Sequence, residues 1–217
     1  MTKKEWMQEI KFHKPDEIKE LIYSAIILGI AFNIAIFGRE NPFEFVLQWQ
    51  FLFYFVPTFV VVLISLAGKE ISQKVFARQT ECFVRYEMWT PGAVVALLSS
   101  FLGFVVAAVG GVKASADYRK RYGRWVVNVT AQQLGLISMI GVGAYLFIGI
   151  FFLLLEPLIP IVLMGRNLMT VAFEINILLA IFSLIPLKPL DGEKLIVWNT
   201  YLWFVMVLMS VSLVLLF

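Results

Sequence analysis

Residues 126–155, VVNVTAQQLGLISMIGVGAYLFIGIFFLLL, contain no Asp, Glu, Lys or Arg. A helix rises 1.5 Å per residue, so about 20 such residues cross the ~30 Å hydrocarbon core of a bilayer. This stretch therefore predicts a membrane span. Gly135, Gly141, Gly143 and Gly149 along it let other helices approach closely.

Five further apolar runs flank it, at 21–37, 43–68, 92–109, 169–187 and 198–217. Asn33 lies inside the first and calls for a polar partner, Pro57 favours a kink in the second, and Ser99, Ser100 and Gly103 interrupt the third. Across all 217 residues the chain is 60% hydrophobic and 15% charged, with mean hydropathy +0.85. Soluble domains are roughly 45–50% apolar, so a soluble fold could not hide this much apolar surface. No linker, low-complexity tract or internal repeat divides the sequence, and we expect one membrane domain over 1–217. Cys82 is the only cysteine, which excludes an intramolecular disulfide framework, and with His13 as the only histidine no Cys/His metal cluster can form. The net charge of +3 is small, and the Lys and Arg residues lie beside apolar runs, so nucleic acid is not an expected partner; membrane lipid is.

Charge placement sets the expected topology. Residues 1–20 form a polar lead carrying Lys3, Lys4, Lys11, Lys14 and Lys19 among five acids; it lacks a small-residue cleavage site and is not read as a cleavable signal. With this lead inside and all six runs crossing, ten cations lie inside and eight outside. If 92–109 instead enters and leaves by one face, sixteen lie inside and only Arg39 and Arg166 outside. Lys and Arg accumulate on the cytoplasmic side, which favours the second arrangement. The expectation is thus an all-α polytopic membrane protein with a cytoplasmic N-terminus. It has about five transmembrane helices, with 92–109 as a re-entrant segment or sixth helix. Residues 81–89, ECFVRYEMW, alternate polar and apolar and predict a short strand in a β-hairpin after the second helix. Such a strand either pairs with an extended peptide through its backbone or simply anchors at the interface through Trp89.

Two stretches at the expected inner ends of spans carry the chemistry. Residues 68–78, GKEISQKVFAR, resemble the HExxH helix of the site-2 protease family of intramembrane zinc metalloproteases, and 182–192, FSLIPLKPLDG, resemble that family's NxxPxxPLDG motif. Residues 131–136, AQQLGL, stand where AGPLTN is common, and the resemblance spans 43–197. It implies two zinc-binding histidines one turn apart, the Asp of LDG as third ligand, and a glutamate that activates water. The chemistry is coherent, because positions i and i+4 share a helix face, and zinc with an open fourth position lowers the pKa of bound water. Here Lys69 and Gln73 stand at the histidine positions, Glu70 at the general-base position and Asp191 at the third-ligand position. Protonated Lys offers no lone pair and the Gln carbonyl is a weak zinc ligand. The resemblance is therefore to a degenerate, non-catalytic member, with no cofactor expected unless the family activity survives, in which case zinc. Gln132, Gln133 and Ser183 replace residues that position substrate in the family, and with Asn176 they are the candidate substrate- or partner-binding groups.

Plainer readings stand beside these. Lys69 fits an ordinary juxtamembrane lysine as well as a partner of Glu70 or Asp191, and Glu70 fits a paired or solvated carboxylate. Asp191 suits a Pro-Leu-Asp-Gly turn. Glu174 and Asn176 suit polar contacts between helices, and Cys82 a small filler. Three functions follow: a non-catalytic protein that binds or regulates transmembrane proteins or peptides, a zinc protease with an atypical site, or a small transporter or channel.

Overall fold

The computed structural model describes residues 15–216 apart from 40, 81, 117–119, 122–123 and 126–128. The first fourteen residues of the polar lead, with His13, lie outside the described residues.

Helix α1 spans Pro15–Phe37, with Asp16 and Glu17 in its first turn where the helix dipole favours acids. A six-residue helix α2, Pro42–Leu47, leads into α3, Gln50–Gln79. Pro57 lies within α3 without ending it, and the Thr58 hydroxyl beside it donates to the Tyr54 carbonyl at 2.9 Å. Strand β1, Cys82–Met88, follows, then α4, Thr90–Ser100, and β2, Gly110–Ala116. A two-residue ladder of β3 (Lys120–Arg121) and β4 (Arg124–Trp125) precedes α5, Ala131–Leu155. A second small ladder joins β5 (Val162–Leu163) to β6 (Arg166–Asn167) around Met164 and Gly165, both at positive φ, as the tight hairpin turn requires. Helices α6 (Leu168–Ser183), α7 (Asp191–Trp198) and α8 (Thr200–Leu216) complete the chain.

Among the described residues α1, α3 and α5 are long and apolar enough to cross a membrane. The runs at 169–187 and 198–217 give the shorter helices α6 and α8, because the loop with Pro186 and Pro189 ends one and Asn199 begins the other. Helix α5 packs on α3, α6 and α7, while α1 packs on α3 and α4. Their shared core includes Leu28, Phe32, Val62, Val142, Phe173 and Leu179.

The hairpin expected after the second long helix takes a different form. β1 pairs antiparallel with β2 from Cys82↔Ala116 to Met88↔Gly110, and α4 lies within the connection. The Trp89 amide donates to the Val109 carbonyl at 2.7 Å, so 90–108 leaves and returns at one point. Gly92 is required for this return, since a Cβ there would overlap the Ala108 carbonyl. With 11 residues, α4 rises only about 16 Å, half of a bilayer core.

Candidate functional site

The last turns of α3 place four ionisable or amide side chains in the interior. Lys69 and Gln73, one turn apart, point towards α5 and α7; Glu70 and Lys74 point towards α1. Lys69 is 3% exposed and Gln73 0%. Polar groups so placed must find partners within the protein.

The first pair finds Asp191. The loop after α6 folds tightly beneath the Leu184 carbonyl, which accepts from Trp203 Nε1 at 2.8 Å and leaves no room for a Cβ at Gly192. This fixes Asp191, 0% exposed, at the start of α7. Its Oδ2 lies 2.6 Å from Lys69 Nζ. Its Oδ1 accepts from Ser138 Oγ at 3.2 Å and from Gln73 Nε2 at 3.4 Å, and Lys194 Nζ lies 3.3 Å away. The Gln73 amide also donates to the Ile137 carbonyl at 3.2 Å, and Gly141 gives it room against α5. Lys69 Nζ lies 5.2 Å from the centre of the Tyr145 ring, within reach of a cation–π contact. Burial pushes the Asp191 carboxyl up, but Lys69, and Lys194 after it, outweigh burial and hold it below the usual carboxylate range.

The second pair finds α1. Lys74 Nζ lies 2.5 Å from Glu70 Oε1 and 3.0 Å from Glu17 Oε1. The same Glu17 oxygen accepts the Tyr86 amide at 2.8 Å, and Glu20 Oε2 accepts the Met88 amide at 3.0 Å. Glu20 also pairs with Arg85 at 3.2 Å. These amides belong to the edge of β1 that faces away from β2, so two carboxylates on one face of α1 take the acceptor places of a third strand. On the far edge of β2 the Val112 carbonyl accepts from Lys194 Nζ at 2.6 Å. An extended peptide could add to either edge only by displacing these side chains.

The residues first singled out divide accordingly. Lys69, Gln73 and Asp191 converge, and Glu70 lies beside them on the other face of α3. Gln133 instead caps α5 in a capping box with Thr130 and donates to the Thr80 carbonyl at 2.8 Å, while Gln132 is exposed. Asn176 donates to Ala172 in its own helix at 2.8 Å, Ser183 to Ala180 at 3.3 Å, and Glu174 pairs with Arg166 at 2.5 Å. Burial pushes the Cys82 thiol up, against activation as a nucleophile. Lys74 and Lys194 were legible as helical neighbours of Glu70 and Asp191. Nothing in the sequence marked Glu17, Ser138 or Tyr145, which arrive from other elements.

This donor set does not fit zinc. Lys69 and Gln73 both present hydrogen-bond donors to Asp191, and among the described residues no three His, Cys, Asp or Glu side chains are grouped to hold a metal ion. No hydrolytic step through a metal can be drawn on these groups. What the arrangement does chemically is hold charge. Lys69 and Lys194 surround one carboxylate, Lys74 lies between two, and the six groups are formally neutral together.

No family model matches the sequence and no solved structure matches it. A protein of Methanocaldococcus jannaschii that carries the provisional name of zinc metalloprotease is 26% identical over 154 residues, covering 67% of this chain and 73% of its own length. That likeness, with three apolar helices of membrane length, supports reading the chain as a metalloprotease-like membrane protein.

Proposed function

We propose that the chain is a non-catalytic, site-2-protease-like integral membrane protein that binds or regulates transmembrane partners. The observation that carries this reading is the 2.6 Å pairing of Lys69 with Asp191. An ammonium stands where the resemblance would require a metal ligand, and it neutralises the one ligand that persists. Glu70, at the water-activating position, is held by Lys74 at 2.5 Å. With its polar cleft occupied by its own side chains, the fold retains binding as its use. The same reading assigns five spans with a cytoplasmic N-terminus and a re-entrant segment around α4. The sixteen-to-two division of cations and the return of 90–108 to its starting point support that topology.

Metal analysis of washed protein tests the reading, with far less than one zinc per chain expected and chelators leaving thermal stability unchanged. About one zinc per chain, lost on Asp191→Ala, would overturn it in favour of a protease with an atypical site. Pull-down from membranes should recover transmembrane proteins with the intact chain. Topology is checked separately by tags near residues 82 and 120, which should report the same face.

A further inference from the structure

We infer that the cleft between α6 and α8, at the end nearest the β5–β6 hairpin, binds a zwitterionic lipid whose head group carries a primary ammonium beside its phosphate. Phe173, Glu174, Ile177 and Leu178 share one face of α6, being spaced i, i+1, i+4 and i+5, and line with Leu213 and Val214 of α8 a cleft of about 270 Å³. Away from the hairpin α8 is held close, since Trp203 Nε1 donates to the Leu184 carbonyl just past α6. The cleft lies about 15 Å further along α8, at Leu213. Val214 is exposed and Glu174 partly so, which leaves it open, while Phe173 and Ile177 are buried at its floor.

Size and lining together choose the occupant. Pockets for drug-sized ligands measure roughly 300–1,000 Å³ and a helix with its side chains is about 10–12 Å across, so this cleft admits a segment of one acyl chain and excludes a partner's helix. Five of its six lining side chains are apolar, and the sixth, Glu174, is joined at 2.5 Å by Arg166 of β6. Arg166 comes first from the hairpin, then Glu174, then Ile177 and Leu178 deeper along α6. Charge thus precedes apolar lining, in the order of head group and chain. A phosphate can take Arg166 while the adjoining ammonium takes Glu174, giving each member of the pair a new charge-assisted bond. An anionic head group without an amine would satisfy Arg166 and be repelled by Glu174. A quaternary choline has no N–H to offer the carboxylate. An ion pair that only fastened the hairpin to α6 would leave lipid binding indifferent to the head group. The inference rests on the integral-membrane reading, because α6 and α8 must lie in the bilayer for a lipid to reach the cleft.

Native mass spectrometry of the delipidated full chain, released from detergent with equimolar phosphatidylethanolamine, phosphatidylcholine and phosphatidylglycerol of matched chains, reads the first lipid bound. Phosphatidylethanolamine should exceed each of the others about three- to tenfold, as one added charge-assisted hydrogen bond allows. Glu174→Gln should bring it to parity with phosphatidylcholine, and Leu213→Trp, which fills the cleft from α8, should lower binding of both. Lys188→Gln, a highly exposed cation near α7, should change nothing. A series needing no variant covers the case in which Glu174→Gln does not fold: successive N-methylation of the ethanolamine should lower binding stepwise to the phosphatidylcholine level. Equal binding of phosphatidylethanolamine and phosphatidylcholine by the unmodified chain, first place for phosphatidylglycerol, a preference that survives Glu174→Gln, or indifference to methylation would each overturn the inference. Release of the chain from membranes by alkaline carbonate would sink it together with the integral-membrane reading, whereas equal lipid binding by a chain that resists carbonate sinks the inference alone.

Discussion

The two faces of the α3 terminus use the same residue types to opposite ends. Towards α5 and α7, Lys69 and Gln73 close on Asp191, and the excess charge is positive; towards α1, Lys74 lies between Glu70 and Glu17, and the excess is negative. The first face joins two stretches recognisable as motifs. The second joins a helix to the edge of a strand, and no motif announces it. Neither face is neutral alone, so the low-dielectric interior favours keeping both. What this teaches is that buried charges at a helix end can be satisfied from both sides by groups of the chain itself, leaving no void between them.

Removing one partner from the first face should have the largest effect. Asp191→Asn leaves Lys69 buried beside a neutral amide, and breaking such a pair costs about 3–5 kcal/mol. A thermal unfolding midpoint unchanged from the native chain would show that Lys69 reaches water, and would break the comparison. The same carboxyl carries a pH signature. Its pKa is depressed in the folded chain, so its contribution is present above the ordinary carboxylate range and is lost as pH falls below that range towards the folded pKa. Stability at neutral pH should therefore not depend on its titration, and Asp191→Asn should flatten the acid limb of the stability profile.

The double change Lys69→His with Gln73→His should convert the first face into a metal site. Two imidazoles at i and i+4 with Asp191 supply three ligands, so about one zinc per chain should bind and be lost on Asp191→Ala. Failure to bind would show that the three positions are not held close enough, and proteolysis need not return in any case.

On the second face, Glu17→Gln should cost less, about 1–3 kcal/mol, because Lys74 keeps Glu70 at 2.5 Å while the Tyr86 amide keeps an acceptor oxygen. Glu17→Ala, which removes the acceptor, should speed exchange of the Tyr86 amide proton; unchanged exchange in that variant would mean that α1 does not close the β1 edge. Arg85→Gln should matter least. Its pair with Glu20 is half-exposed and contributes about 0–1 kcal/mol, screened by salt.

Comparing the two faces also shows where sequence reasoning stops. The strand at 81–89 was legible from its alternation, but its partner was not: β2 lies beyond α4, and its Gly-rich sequence carries no strand pattern of its own. Gln132 and Gln133 lie on the helix that reaches Asp191, but the contact with Asp191 is made by Ser138, about one and a half turns further along. Asn176 and Ser183 bond within their own helix.

By itself, the sequence determined that this chain is dominated by apolar helices, because hydropathy and length are local properties that the bilayer reads directly. It also established that Lys69 and Gln73 cannot serve as histidines, since donor chemistry belongs to the residue and not to the fold. Only the tertiary structure decided what those residues do instead. That Asp191, 122 positions away, lies 2.6 Å from Lys69, and that Glu17 closes both Lys74 and a strand edge, depends on how α1, α5 and α7 pack around α3. Buried charges are placed by the partners available in three dimensions, and spacing along the chain records only those one turn apart, Lys74 with Glu70 and Lys194 with Asp191.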